Sequence, residues 1–426
     1  MAHICLRPFK VFVPVLISCA LLTGGLDSFA IDLSFNPTVR VGTRADSNIR
    51  GAATGKEAAW GFEQGASLGV NAEAPTWNSS IRPHFNIRRF VVGDNLDADE
   101  YGVNLSNAYT SQYWGGGLDF NYSRDSTLAT ELTDLGVRNE VTNRDTIHIA
   151  PNVSYVADDK TSARLDFGYT DTTFARGTQT GFIDYRYMQA SLTLNRVLSE
   201  TDLIFATPYV TDFDSPQIQS KTRTYGGQLG YKKTFTPTLQ ATATLGFASS
   251  TIDFLDQQTD LTRPVRVFDF STFQILTIFP FSRTVPAQAS SDGIITSASI
   301  EKKFERSKIT LDYSRQISPT ARGSQEISDA IIVNAGHDLT ERLSTSFYGS
   351  YVMASAEGNL TVRNLDRDQS FLQGALTYRL TEHISLQGAY TFAYRPSTLT
   401  TASVGQHGIS FYLLYDGGSR SFGSGY

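Results

Sequence analysis

The chain has 426 residues, a net charge of −6 and a mean hydropathy of −0.20, with 12% aromatic residues and two cysteines. The acid excess argues against a nucleic-acid partner, and no block of like charge marks a binding tail. Phe (27), Tyr (20) and Gly (34) are plentiful while Met is scarce (3), a mixture that suits sheet surfaces better than helices.

The first thirty residues read as an export signal. Arg7 and Lys10 mark a basic start, VFVPVLISCALL (11–22) is apolar, and Ser28 and Ala30 are small residues placed for cleavage after Ala30. The apolar run is shorter than the roughly 20 residues a spanning helix needs. Leu16-Ile17-Ser18-Cys19 also resembles a lipoprotein box, which would leave Cys19 lipidated instead. Cleavage after Ala30 removes both cysteines, so the mature chain has no disulfide to staple it. It also removes Arg7, Lys10 and Asp27, leaving 34 basic against 41 acidic residues.

From there on the dominant signal is period-2 alternation. In 147–155, Ile147, Ile149, Val153 and Tyr155 alternate with His148, Ala150, Asn152 and Ser154. Leu165, Phe167 and Tyr169 alternate with Arg164, Asp166, Gly168 and Thr170, and Ile384 to Arg395 repeats the pattern. Strands of this kind need an apolar surrounding on one side only. The connections narrow the choice. Tight polar turns at 74–77, near Ser111, and at 157–161, 198–202, 235–239, 304–308, 339–343 and 380–384 alternate with longer polar loops. Short turns on one side and long loops on the other are expected of a transmembrane barrel.

The reading is therefore all-β: a transmembrane antiparallel outer-membrane β-barrel of about 18 strands, with 16 to 20 allowed. The strands fall near 35–42, 63–73, 78–91, 99–110, 112–126, 144–157, 160–174, 183–198, 201–214, 220–235, 238–254, 290–304, 306–320, 325–338, 341–357, 366–379, 382–397 and 403–416. Residues 1–30 form the signal and 31–426 the barrel, with a long extracellular loop at about 255–290. An even count puts both termini on the periplasmic side, and a barrel this wide leaves a lumen that side chains alone do not fill. Tyr378, Tyr390, Tyr394 and Tyr415 suit interfacial aromatic girdles.

Several segments resemble a known family. NIRGAATGKEAAWGFEQGASLGV (48–70), NYSRDSTLATELTDLGV (121–137), the stretch 143–174 and GFIDYRYMQASLTLNRVLSETD (181–202) are similar to the β-barrel porin type 2 family. RDSTLATEL and DYRYMQASL are the least generic of these, and the likeness fades after about residue 254. The resemblance implies a proteobacterial outer-membrane channel, often encoded beside exopolysaccharide machinery. It thus implies a polymer conduit working with a periplasmic export protein. It supplies no catalytic motif. The C-terminus departs from the usual aromatic end: DGGSRSFGSGY follows Tyr415. Either Ile409, Phe411, Leu413 and Tyr415 form an internal assembly signal, or the last strand runs further.

Candidate pore-lining residues are Arg164, Asp166, Asp312, Gln373, Arg379 and Arg395, with Tyr187, Tyr348 and Tyr412 as rings that could stack on sugars. Lumenal solvation and strand-to-strand pairing explain the same residues more plainly. Six scattered histidines (His3, His84, His148, His337, His383, His407) offer no metal spacing, and no cofactor is expected. Partners expected are outer-membrane lipid, the barrel assembly machinery, and a polysaccharide with its periplasmic exporter. An uptake porin is the second reading. A lipid-modifying barrel enzyme, using His148 with Ser154 or His407 with Ser410, is the third.

The break in the rhythm is 257–290. Its aromatic cluster (Phe268, Phe270, Phe273, Phe279, Phe281) is too apolar for a disordered loop. Three placements are open: a constriction in the lumen, a cap on the outer mouth, or an extra hairpin raising the count to about 20. Pro264, Pro280 and Pro286 favour the first two, as gating elements, because they interrupt strand pairing.

Overall fold

The structure, a computed structural model, describes residues 31–52, 55–92, 96–127, 141–175, 182–259, 265–269, 274–278, 282–319, 325–356, 367–396 and 403–421. The leader and its expected cleavage at Ala30 lie outside them.

Alternating sequence becomes strand with little exception. The first strands are β1 (Asp32–Asp46), β2 (Ala59–Ala74), β3 (Trp77–Val92), β4 (Ala98–Thr110), β5 (Trp114–Ser126), β6 (Asn143–Asp158) and β7 (Thr161–Phe174). Next come β8 (Tyr185–Ser199), β9 (Asp202–Ser215), β10 (Ser220–Thr236), β11 (Leu239–Thr259), β12 (Val265–Asp269), β13 (Gln274–Ile278) and β14 (Ser282–Lys303). The chain ends with β15 (Ser307–Pro319), β16 (Gln325–Asp338), β17 (Leu343–Ala356), β18 (Arg367–Arg379), β19 (Ile384–Arg395), β20 (Val404–Asp416) and β21 (Arg420–Ser421). Each strand from β1 to β10 pairs antiparallel with its successor, β11 pairs with β14, and the ladder continues to β20. β20 then pairs with β1, from Thr38↔Asp416 to Asp46↔Gly408, closing an 18-stranded barrel. Closure leaves no open sheet edge within the wall, which is what hydrocarbon demands of a spanning sheet.

The eight expected turns all form, each of two to four residues, and both β1 and β20 reach that same end. Beyond Tyr415 the last strand ends at Asp416, and the chain then resumes as the two-residue β21, pairing Ser421 with Ser34 and Arg420 with Phe35. Gly418 sits at φ +66°, a turn conformation that costs glycine nothing.

The expectation of a loop at 255–290 needs correction at both ends. The β11–β14 ladder continues unbroken to Thr259↔Ser282, and Pro286 lies inside it opposite Leu255. Proline is tolerated there because β14 pairs with β15 only from Thr296 to Lys303, leaving its other edge bare where Pro286 sits. β12 and β13 form a separate two-stranded sheet and add nothing to the barrel count.

The two wall faces differ in chemistry and crowding. One carries Leu229, Leu245 and Phe411 at 63–71% exposure, with Val39, Leu165, Phe167, Leu194, Leu311, Leu376 and Leu386 in the same register. The other holds hydroxyls, amides, glycines and charges, and its Thr222, Thr224 and Ser250 are almost wholly enclosed. Side chains splay on a convex surface and converge on a concave one, so the apolar face points out. Aromatic residues flank the outer band at both heights: Tyr101, Tyr390 and Tyr394 on the loop side, Trp114, Tyr155, Tyr378 and Tyr415 on the turn side. On β5, Tyr122 and Trp114 are eight residues apart. At about 3.3 Å per residue and a tilt of about 40°, that is about 20 Å along the barrel axis, near the usual apolar band of about 25 Å.

Candidate functional site: a lumen with two unlike walls

Strands β1 to β4 meet β20 around a knot of six charges on the inner face. Antiparallel register sets Glu63 opposite Gly42 and beside Arg88, while Tyr412 is opposite Gly42 on the other flank. Gly42 thereby leaves room for both neighbours. Arg88 holds Glu100 at 2.5 Å and Glu63 at 3.5 Å. Arg44 reaches Asp46 at 3.5 Å and Glu63 at 3.9 Å, and Arg40 approaches Glu63 at 4.0 Å.

Neutral groups complete the knot. The Tyr412 hydroxyl donates to Glu63 (2.5 Å), Gln406 Nε2 to Asp46 (2.7 Å), Asn86 Nδ2 to Glu100 (3.0 Å) and the Ser126 amide to Glu100 (3.3 Å). Three cations face three anions, and Asp46, Glu63 and Arg88 are at most 9% exposed. Charges this enclosed persist only when paired and hydrogen-bonded on nearly every side. Arg40 alone among the six is 43% exposed, so it is the charge this knot presents to the lumen.

Further round, several inner polar groups of β6 and β7 also find partners. Arg144 meets Asp125 at 3.1 Å, Arg164 meets Asp166 at 2.7 Å, and His148 shares a 2.9 Å hydrogen bond with Thr170.

The wall from β8 to β11 is different. Its inward positions are Tyr185, Tyr187, Gln189, Ser191, Thr193 and Asn195 on β8, then Phe205, Thr207, Tyr209, Thr211 and Phe213 on β9. On β10 they are Thr222, Thr224, Gly226, Gln228, Gly230 and Lys232, and β11 continues with Gln240, Thr242, Thr244, Gly246, Ala248 and Ser250. Lys232, near the turn side, is the one charge in that series. The Tyr209 ring lies over Gly226 and the Phe205 ring over Gly230, where any Cβ would collide with them. Glycine four residues apart on β10 thus lets two rings four residues apart on β9 lie flat against the wall. A ring backed on one face by glycine offers its other face to whatever passes.

No family model matches the chain, and no curated protein sequence does. Solved structures resemble it in shape. OccAB4 of Acinetobacter baumannii covers 92% of this chain and 98% of its own, at 11% identity and a TM-score of 0.45. OpdL of Pseudomonas aeruginosa covers 93% and 100%, at 9% identity and 0.44. The ferric-catecholate import receptor Fiu of E. coli K12 covers 92% and 82%, at 9% identity and 0.46. Likeness this distant says nothing of this chain's solute.

The expected pore-lining residues are scattered over the inner face rather than gathered. Arg164 and Asp166 are paired to each other on β7, Asp312 lies on β15 opposite Ser299, and Gln373 and Arg379 lie on β18. Arg395 is opposite Val404 at the loop end. Tyr187 is opposite Phe213, and Tyr348 lies 5.9 Å from Phe371. The Tyr412 ring lies against Gly42, and the Arg40 guanidinium lies 4.9 Å from its centroid. Phe270, Phe273, Phe279 and Phe281 lie outside the described residues, and Phe268 pairs with Ile275 in the β12–β13 hairpin.

The pairings considered for an enzyme do not assemble. His407 bonds Tyr390 on the outer face while Ser410 points inward, and His148 bonds Thr170 rather than Ser154. Among the described residues no cluster could hold a metal. Arg40, Arg44, Asp46, Glu63, Arg88 and Glu100 escaped the sequence reading. The signal was there: all six fall on the polar side of the alternation, in strands otherwise rich in Gly, Ser and Asn.

Proposed function

We propose that this chain is an outer-membrane channel and that its solute is a saccharide chain moving outward through the lumen. A closed 18-stranded wall with an apolar exterior and a polar interior supports the channel. The observation carrying the saccharide is the neutral wall, where Phe205 and Tyr209 lie flat over Gly230 and Gly226. Sugars present apolar C–H faces to rings and hydroxyls to amides, and charge helps neither contact. Gln189, Gln228, Thr207 and Thr211 stand beside the rings on the same face.

Two measurements test this. In planar bilayers, neutral oligosaccharides should block single-channel current, and F205A/Y209A should weaken that block about tenfold while leaving open conductance close to the parent's. Loss of the gene should deplete extracellular polymer and the double variant should restore it only partly. Absence of block together with unchanged polymer would refute the saccharide and leave a channel for some other solute.

A further inference from the structure

On the outer face, just above the loop-side aromatic residues, ion pairs recur from hairpin to hairpin. Arg89 meets Asp99 (2.5 Å), Arg124 meets Asp145 (3.4 Å), and Arg186 meets Asp171 (3.5 Å). Arg223 and Lys221 share Asp212 (3.0 and 3.4 Å), and Arg315 meets Asp329 (3.2 Å). In three of the five a tyrosine hydroxyl donates to the same carboxylate: Tyr122 to Asp145 (3.1 Å), Tyr169 to Asp171 (3.1 Å) and Tyr313 to Asp329 (2.9 Å). The residues lie within six positions of the loop-side ends of their strands. Their register is that of Leu165, Leu311 and Leu229, so they face the surrounding membrane.

Charged groups on that face are excluded from hydrocarbon and belong at headgroup height. Each cation spends one edge on an aspartate and keeps part of its side chain exposed: Arg89 at 47%, Arg124 at 32%, Arg186 at 55%, Lys221 at 48%, Arg223 at 50% and Arg315 at 41%. The guanidinium fork matches phosphate oxygens, and the aspartate fixes the direction in which its free edge points. The tyrosine at each of those three pairs sits where rings prefer to lie, between acyl chain and headgroup.

We propose that this rim is a binding belt for the phosphorylated headgroup of an outer-leaflet glycolipid, with Arg124, Arg186, Arg223 and Arg315 as phosphate ligands. The belt rests on the reading that the barrel spans the outer membrane. Among the described residues it runs along β3 to β10 and β15 to β16.

The test is native mass spectrometry of the detergent-solubilised barrel. Lipid A carrying its phosphates should remain bound after detergent removal. The same lipid dephosphorylated, and phosphatidylethanolamine, should be retained at least fivefold less. R124Q/R186Q/R223Q/R315Q should lose lipid A by a similar factor while keeping the heat-modifiable barrel on gels. Equal retention of phosphorylated and dephosphorylated lipid A by the parent would overturn the belt, whether or not the fourfold variant folds. Absence of a heat-modifiable, outer-membrane species would instead defeat the channel reading itself.

Discussion

Two stretches of the lumen wall solve one problem in opposite ways. From β1 to β7 the inner wall is charged and ties its charges together: Glu63 alone meets Arg40, Arg44, Arg88 and Tyr412. From β8 to β11 the wall is neutral apart from Lys232 and satisfies itself with hydroxyls, as in the Thr224–Ser250 (2.8 Å) and Thr193–Thr207 (3.1 Å) contacts. The charged stretch is rigid at the Glu63 knot, where breaking a pair strands a buried ion. The neutral stretch lines the lumen with amides and rings instead.

The sharpest way to break this contrast is Glu63→Gln. It leaves three arginines around a neutral amide, and loss of one partner from a buried ion network costs about 3–5 kcal/mol. A fall of that size in the urea unfolding free energy in lipid vesicles is expected. An unchanged midpoint would mean that the knot contributes nothing to the wall.

Next, the contrast is confined to the inner faces, so the exteriors should behave alike. Leu165→Arg outside the charged stretch and Leu229→Arg outside the neutral stretch should each cost about 2–4 kcal/mol near the membrane midplane. Both should slow assembly followed by heat modifiability, while Thr170→Arg and Thr207→Arg, on the inner face, should assemble normally. Harm from the inner pair equal to that from the outer pair would invert the face assignment.

The smallest effect is expected at Arg164→Gln. Its partner Asp166 is 2.7 Å away, but Arg164 is 52% exposed, and ion pairs this wet are worth about 0–1 kcal/mol. Stability should barely move, and only ion selectivity in bilayers should shift, toward cations. A loss approaching that of Glu63→Gln would show the charged stretch to be one network from β1 to β7.

Much of the wall was legible because strand alternation and turn chemistry are local. Ile147 to Tyr155 and Leu165 to Tyr169 declare their faces within a few residues, and LSETD or FERSK declares a turn. The β11–β14 extension was not, because Pro286 reads as a breaker until its bare edge is seen. The charged knot was not, because its members meet only after closure: Glu63 and Tyr412 are 349 residues apart, and Asp46 and Gln406 are 360. No spacing rule spans such a distance. The same holds for Tyr412, whose alternation announces an inward ring but not the guanidinium lying on it.

The joint between β20 and β1 also dictates a timetable. Thr38 and Asp416 become neighbours only when the whole chain between them has been made, so every earlier stage of folding has β1 as a bare edge. Bringing such remote ends together costs little more than a shorter loop would, since closure entropy grows by about 0.6 kcal/mol per doubling of length. What it costs is time, because contacts this far apart in sequence form slowly, and an unpaired edge invites another chain to pair with it meanwhile. Selection acting on this protein therefore has a target that its finished shape conceals: not the depth of the folded state but the interval before the last strand arrives.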